Sequence, residues 1–124
     1  VRFVGEVGGE SKRRLFAEAR ALLMPIRWEE PFGMVMIEAL ACGTPVIAFA
    51  EGAAREIVVD GKTGFLVADE PEMAGAVARL PRIAGAACRT WVAEHCDIDV
   101  VVSAYERAYR AAIVGAARPV AVHG

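Results

Sequence analysis

Three short runs without a single polar residue, Ala21–Met24, Val46–Ala50 and Phe65–Val67, constrain the fold of this chain more than anything else in it. Each is too short for a buried helix and is bounded by a Pro or Gly: Pro25 after the first, Pro45 before the second, Gly64 before the third. Runs that are apolar at every position belong to strands covered on both faces, the situation of a parallel sheet. Helical patterns lie between them. Ser11 is placed to cap a helix running to about Arg20, with Leu15, Phe16 and Ala19 on one face. Gly33–Cys42 reads as a nearly all-apolar helix closed by Gly43, and Ala53–Val58 as a short helical piece. Val1–Val4, stopped by Gly5, reads as one more strand, followed by a Gly8-Gly9 turn.

After Val67 the alternation stops. Asp69-Glu70-Pro71 opens a helix with an acidic cap and a proline in its first turn, and helical stretches at about 71–80, 82–95 and 99–114 follow with no strand between them. The pattern predicts an α/β, Rossmann-like domain with a parallel sheet over residues 1–114, ending in helices, and a small, proline-broken flexible tail at 115–124. In such sheets ligands sit where strands feed loops at their carboxyl ends, so the Met24–Gly33 loop is where a site is expected.

Composition narrows the function. Lys and Arg number 14 against 16 Asp and Glu, with no block of like charge, which gives a nucleic-acid surface no support. Apolar residues make up 56 %, including 24 alanines, enough for a core of small side chains and too many for a disordered chain. Three cysteines in helical patterns, Cys42, Cys88 and Cys96, argue against a disulfide framework and for a reducing, cytoplasmic setting. The longest apolar stretch, Ala39–Ala50, is broken by Gly43-Thr44-Pro45 and falls short of the roughly 20 residues that span a bilayer. Arg2, Glu6, Glu10 and Lys12 interrupt any leader-like core, and a start at Val1 reads as a fragment or truncation.

Glu38 is the one charge in the Gly33–Cys42 helix, and a carboxylate in an apolar wall needs a donor. Two sources are open: a structural partner, either an Arg or backbone amides, or a ligand. Glu30 stands eight positions earlier; on a continuous helix the two acids would lie about 12 Å apart along the axis and about 80° apart around it, able to grip two ends of one extended ligand. Between them, Phe32-Gly33-Met34 places backbone N–H groups at a helix start beside a glycine, an arrangement suited to phosphate.

The run from Glu30 through Pro31-Phe32-Gly33-Met34 to Glu38-Ala39-Leu40-Ala41-Cys42-Gly43-Thr44-Pro45-Val46-Ile47 resembles the E-x7-E segment of the retaining GT-B glycosyltransferases of family 4. Pro25 stands where that family ends the preceding strand, and Asp60-Gly61-Lys62-Thr63-Gly64-Phe65-Leu66-Val67 is similar to its D-G-x-T-G-x-L-V segment. The resemblance implies the donor-binding, C-terminal lobe of a two-lobe enzyme that transfers a hexose, with retention, from a UDP- or GDP-linked sugar to a hydroxyl acceptor: a sugar, a lipid or a small metabolite. It implies that Glu30 holds hydroxyls of the donor sugar, the amides of Phe32, Gly33 and Met34 the diphosphate and sugar, and Glu38 the ribose hydroxyls. It further implies no metal and no cofactor, an acceptor lobe and phosphate-binding Arg and Lys upstream of these residues, and peripheral membrane association as an option for the complete protein. One departure stands out: Arg55 replaces the residue that usually precedes Glu56 in the family's Gly-Gly-x-x-Glu loop, which here reads Glu51-Gly52-Ala53-Ala54-Arg55-Glu56.

Other readings compete. The chain could be a nucleotide-sugar binding module without activity, a truncated remnant, or a sugar-nucleotide epimerase of similar fold; a bare sheet edge would make an isolated fragment self-associate. Asp97-Ile98-Asp99 reads as helix capping rather than a metal site, and Gly61-Lys62-Thr63 fails as a phosphate loop because Glu56 stands where the earlier glycine is required. Trp28 is placed either to line the site or to pack under its loop, Arg27 to reach a phosphate or, more often for such a residue, a surface acid, and Trp91, Tyr105 and Tyr109 to serve a core or lobe interface.

Overall fold

The computed structural model describes residues 1–116. Its elements, in chain order, are α1 (Gly9–Glu18), β1 (Leu22–Met24), α2 (Met34–Ala41), β2 (Val46–Phe49), α3 (Ala54–Ile57), β3 (Gly64–Val67), α4 (Glu70–Arg79), a 3-10 turn (Leu80–Arg82), α5 (Gly85–His95) and α6 (Ile98–Ala116). The three strands form one parallel sheet in the order β1-β2-β3, with Leu22 opposite Val46 and Ile47 opposite Phe65. The expected α/β architecture is therefore the observed one.

The apolar runs sort by their place in the sheet. Central β2 is buried at all four positions, as a strand packed on both faces must be. Edge strand β1 is not: Leu23 is 48 % exposed, so the two-sided cover expected of its run fails. Helix α4 packs against β2 and β3 and leaves beside Leu23 a shallow groove bordered by Arg20, Val77 and Leu80. Val1–Val4 is not a strand. Among the described residues it pairs with no strand, and Val1 and Phe3 are fully exposed, because an extended run becomes a strand only when a neighbour takes its backbone bonds.

Helix α2 is the centre of the packing. Met36, Ala39 and Leu40 are at most 1 % exposed, and the helix lies against α1, α5 and the sheet. It closes as its Gly43 signal predicts: Thr44 N–H donates to the Ala39 carbonyl and Gly43 N–H to that of Leu40, the paired bonds of a Schellman turn. The Thr44 hydroxyl then donates to the Phe16 carbonyl and ties α1 to the start of β2. Helix α1 begins two residues before the predicted cap; Gly8 is its N-cap, and Ser11 sits inside the first turn without a capping bond. At α4 the expected cap is present, with Asp69 accepting from Glu72 N–H and Glu72 from Ala68 N–H.

Trp91 packs into the core and stacks on His95, whereas Tyr105 and Tyr109 lie side by side on the exposed face of α6. That helix runs on past 114 to Ala116; the remainder of the expected tail, 117–124, lies outside the described residues. No helix among the described residues is long and apolar enough to cross a membrane. Burial raises the thiol pKa of Cys88 and Cys96, which keeps both protonated at neutral pH and poor nucleophiles. Because Leu40 is wholly buried where α2 meets its neighbours, Leu40→Ala is expected to lower stability by about 2–5 kcal/mol, read as a fall in the denaturant midpoint with an unchanged slope.

Candidate functional site

The carboxyl ends of β1 and β2 release two loops, 25–33 and 50–53, and these loops lock together. Ala53 N–H donates to the Glu30 carbonyl at 2.8 Å. Gly52, at φ +46°, lies so close that a Cβ there would stand 2.6 Å from the Glu30 nitrogen and 2.8 Å from its oxygen. Only a residue without a side chain permits this approach, so Gly52 fixes where Glu30 sits. The sequence shows Gly52 only as part of a partial motif match. Its contact with Glu30 joins positions 22 apart in the chain, which no local pattern reports. Arg55, the departure in that motif, leaves the loop regular: it sits on α3 with its side chain exposed, as does Glu56.

Glu30 does not continue α2. The helix starts at Met34, with Gly33 as a left-handed N-cap at φ +64°, so the expected placement of Glu30 and Glu38 on one helical cylinder is replaced by one acid on a loop and one on a helix. Gly33 is buried for a reason besides ligand approach: a Cβ would fall on the Met36 side chain and 2.7 Å from Ile57 Cδ1, so the glycine lets α3 pack over the start of α2. The Glu30 carboxylate turns back onto the amides of Phe32 and Gly33, 3.4 Å from each. Two of the donors expected to face a phosphate are thus met by the protein's own acid, through long and weak bonds. The amides of Met34 and Val35 meet no acceptor among the described residues. Phe32 and Met34 point their side chains outward, 74 % and 61 % exposed.

Beneath Glu30 and Trp28, over Met36 and Phe49, the enclosed space is about 10 Å³, a single water at most. Any group larger than a water that meets Glu30 must therefore lie outside this floor. Trp28 is 66 % exposed and so is not packed under the loop.

Glu38 has a partner, and it is neither of the two kinds of protein partner expected. Lys12 Nζ of α1 donates to its Oε1 at 2.9 Å, with both side chains about one-third exposed. Arg27 meets a surface acid: its guanidinium makes two bonds to Glu70, at 2.9 and 2.8 Å, and lies 4.3 Å above the Phe49 ring. The Arg27 bonds hold the Glu70 carboxyl below its ordinary pKa, so this pair contributes above the usual glutamate range and is lost as pH falls through the lowered value. Asp97 accepts from Asp99 N–H at the start of α6, and Asp60 from Leu66 N–H in the turn before β3, so both act as turn and cap residues.

Residues 1–82 match the family described as glycosyl transferases group 1. A D-inositol 3-phosphate glycosyltransferase of Streptomyces avermitilis is 37 % identical over 140 aligned residues, covering 99 % of this chain and 28 % of the relative. Sucrose-phosphate synthase of Thermosynechococcus elongatus superposes with a TM-score of 0.77 at 32 % identity, over 92 % of this chain and 30 % of that one. A glycosyltransferase involved in avilamycin A biosynthesis superposes at 0.66 with 29 % identity, over 90 % of this chain and 36 % of that one. This chain thus spans between 28 % and 36 % of the length of these proteins.

The contact at Gly52 yields a test of local architecture. Gly52→Ala is expected to displace the Glu30 backbone and to lower stability by about 1–3 kcal/mol, whereas Gly75→Ala, with open space at its Cβ on α4, is expected to be neutral or stabilising. Thermal unfolding of the two variants side by side checks this.

Proposed function

We propose, for a chain that belongs to the glycosyl transferases group 1 family, that these residues form the donor side of a retaining enzyme that moves a hexose from a nucleoside diphosphate sugar to a hydroxyl acceptor. The observation that carries this reading is the helix start at Gly33–Met34 with an acid on either side: Glu30 held by Gly52 and Ala53, and Glu38 one turn inside α2. A diphosphate is a stronger ligand for the α2 amides than the Glu30 carboxylate is at 3.4 Å. On donor binding the diphosphate takes the amides of Phe32 to Met34. Glu30, released from them by rotation of its side chain, accepts hydroxyls of the sugar. Glu38 accepts hydroxyls of the ribose.

In the transfer step the acceptor oxygen bonds to the anomeric carbon on the face from which the diphosphate departs. The bond between that carbon and the phosphate oxygen breaks, its electron pair leaves on the diphosphate, and the acceptor proton passes to the departing phosphate. The amides at the helix start oppose the charge that develops there, with basic side chains of the complete enzyme, and such fixed dipoles supply a large part of many rate enhancements. The 124 residues alone would bind donor without transferring it, since the facing acceptor lobe belongs to the complete enzyme, and their open β1 edge favours self-association. The relatives' names speak of transferases, which leaves the epimerase reading without support.

Two measurements on the complete enzyme test the reading. Glu30→Ala and Glu38→Ala are each expected to lower kcat/KM for transfer by about a hundredfold or more; ordinary kinetics in both would overturn the assignment. UDP or GDP is expected to raise the melting temperature of the unmodified protein, and no shift with either would count against a nucleotide site.

A further inference from the structure

The loop that carries Glu30 leaves edge strand β1 at Pro25, and Arg27 reaches from it across the carboxyl edge of the sheet. Its guanidinium stands 4.3 Å from the ring centroid of Phe49, the last residue of central β2. Beyond that ring, Nη2 donates to both carboxylate oxygens of Glu70, at 2.9 and 2.8 Å, in the first turn of α4 just past the end of β3. One side chain thus joins the carboxyl ends of all three strands. Phe49 is 2 % exposed and also lines the small space beneath Glu30, so the guanidinium rests on a fixed ring that the site shares.

An ion pair as exposed as this one, 57 % at Arg27 and 68 % at Glu70, adds little to the stability of the whole fold. Stacking on a ring and bonding to two oxygens nevertheless fix the direction of the side chain, and its effect falls on the loop it belongs to. We infer that Arg27 is a positioning residue for Glu30, an inference that rests on the sugar-hydroxyl role proposed for that acid. Arg27 straps the start of the loop, while Ala53 N–H and the close approach of Gly52 hold Glu30 itself. Without the strap the carboxylate keeps its lower anchor and loses its set reach, and a displacement of about 1 Å at a group holding a reacting sugar is costly. The amides of Gly33 and Met34 stand at the start of buried α2, so the diphosphate is held independently of Arg27. The strap is therefore felt by the sugar of the donor and not by its nucleotide.

The test is calorimetric titration of the complete enzyme with UDP against UDP-glucose and GDP against GDP-mannose, following the pair that binds. Arg27→Met, which keeps an apolar stem over Phe49 and removes the guanidinium, is expected to weaken the sugar nucleotide about three- to tenfold relative to the bare diphosphate. Glu70→Gln is expected to give part of that loss, and the double variant no more than Arg27→Met alone, since the two act as one unit. Arg79→Met is the matched control: Arg79 lies 4.2 Å from the Phe65 ring centroid at the opposite end of α4, carries no site loop, and is expected to leave the ratio unchanged. An arginine with a purely structural role would lower the melting temperature and leave the ratio where it was. If Glu30→Ala lowers the ratio while Arg27→Met does not, the positioning role is wrong and the sugar reading stands. If Glu30→Ala itself leaves the ratio unchanged, or neither pair binds, the sugar reading fails and takes the inference with it.

Discussion

Everything at this site depends on the burial of α2. Met36, Ala39 and Leu40 anchor the helix between sheet and neighbouring helices, and the Schellman turn at Gly43 with the Thr44 hydroxyl fixes its far end. A helix held this way cannot slide or tilt to suit a ligand, so its first turn has a set position and its amides a set direction. The chain achieves this with small side chains: Ala39 is wholly enclosed, and Gly33 lets α3 close over the helix start. Rigidity of this kind is what lets a few backbone N–H groups act as a preorganised dipole rather than a solvated one.

The sequence made the helix and the sheet legible because both are written in local patterns. The apolar runs gave all three strands, and the apolar stretch from Gly33 to Cys42 gave α2 with Glu38 as its lone charge. What could not be read were contacts between distant positions. Gly52 against Glu30, Lys12 against Glu38 and Arg27 against Glu70 join residues 22 to 43 positions apart, with nothing in their spacing to announce the pairing. The Glu38 partner shows the limit clearly: the apolar setting called for a donor, and only the packing of α1 on α2 decided that it would be a lysine. The misread start of the chain has another cause, since Val1–Val4 has strand composition and a strand also needs a neighbour.

The unliganded site is not empty of charge. Glu30 sits on the amides of Phe32 and Gly33, so the helix start is already facing an anion, one supplied by the chain itself. A tethered carboxylate at 3.4 Å satisfies those donors through long bonds, weakly enough held to be exchanged.

The loop that carries Glu30 is fastened at both ends, by Arg27 on Glu70 and Phe49 and by Ala53 N–H on the Glu30 carbonyl. Between those anchors Glu30 N–H donates to the Trp28 carbonyl, and Gly52 lies against the backbone of Glu29 and Glu30. With its backbone anchored in this way, Glu30 leaves the amides of Phe32 and Gly33 by turning about its side-chain bonds, with no lid to open. Such turning belongs to the picosecond-to-nanosecond regime and lies far below the microsecond-to-millisecond motions that limit turnover in enzymes with hinged covers.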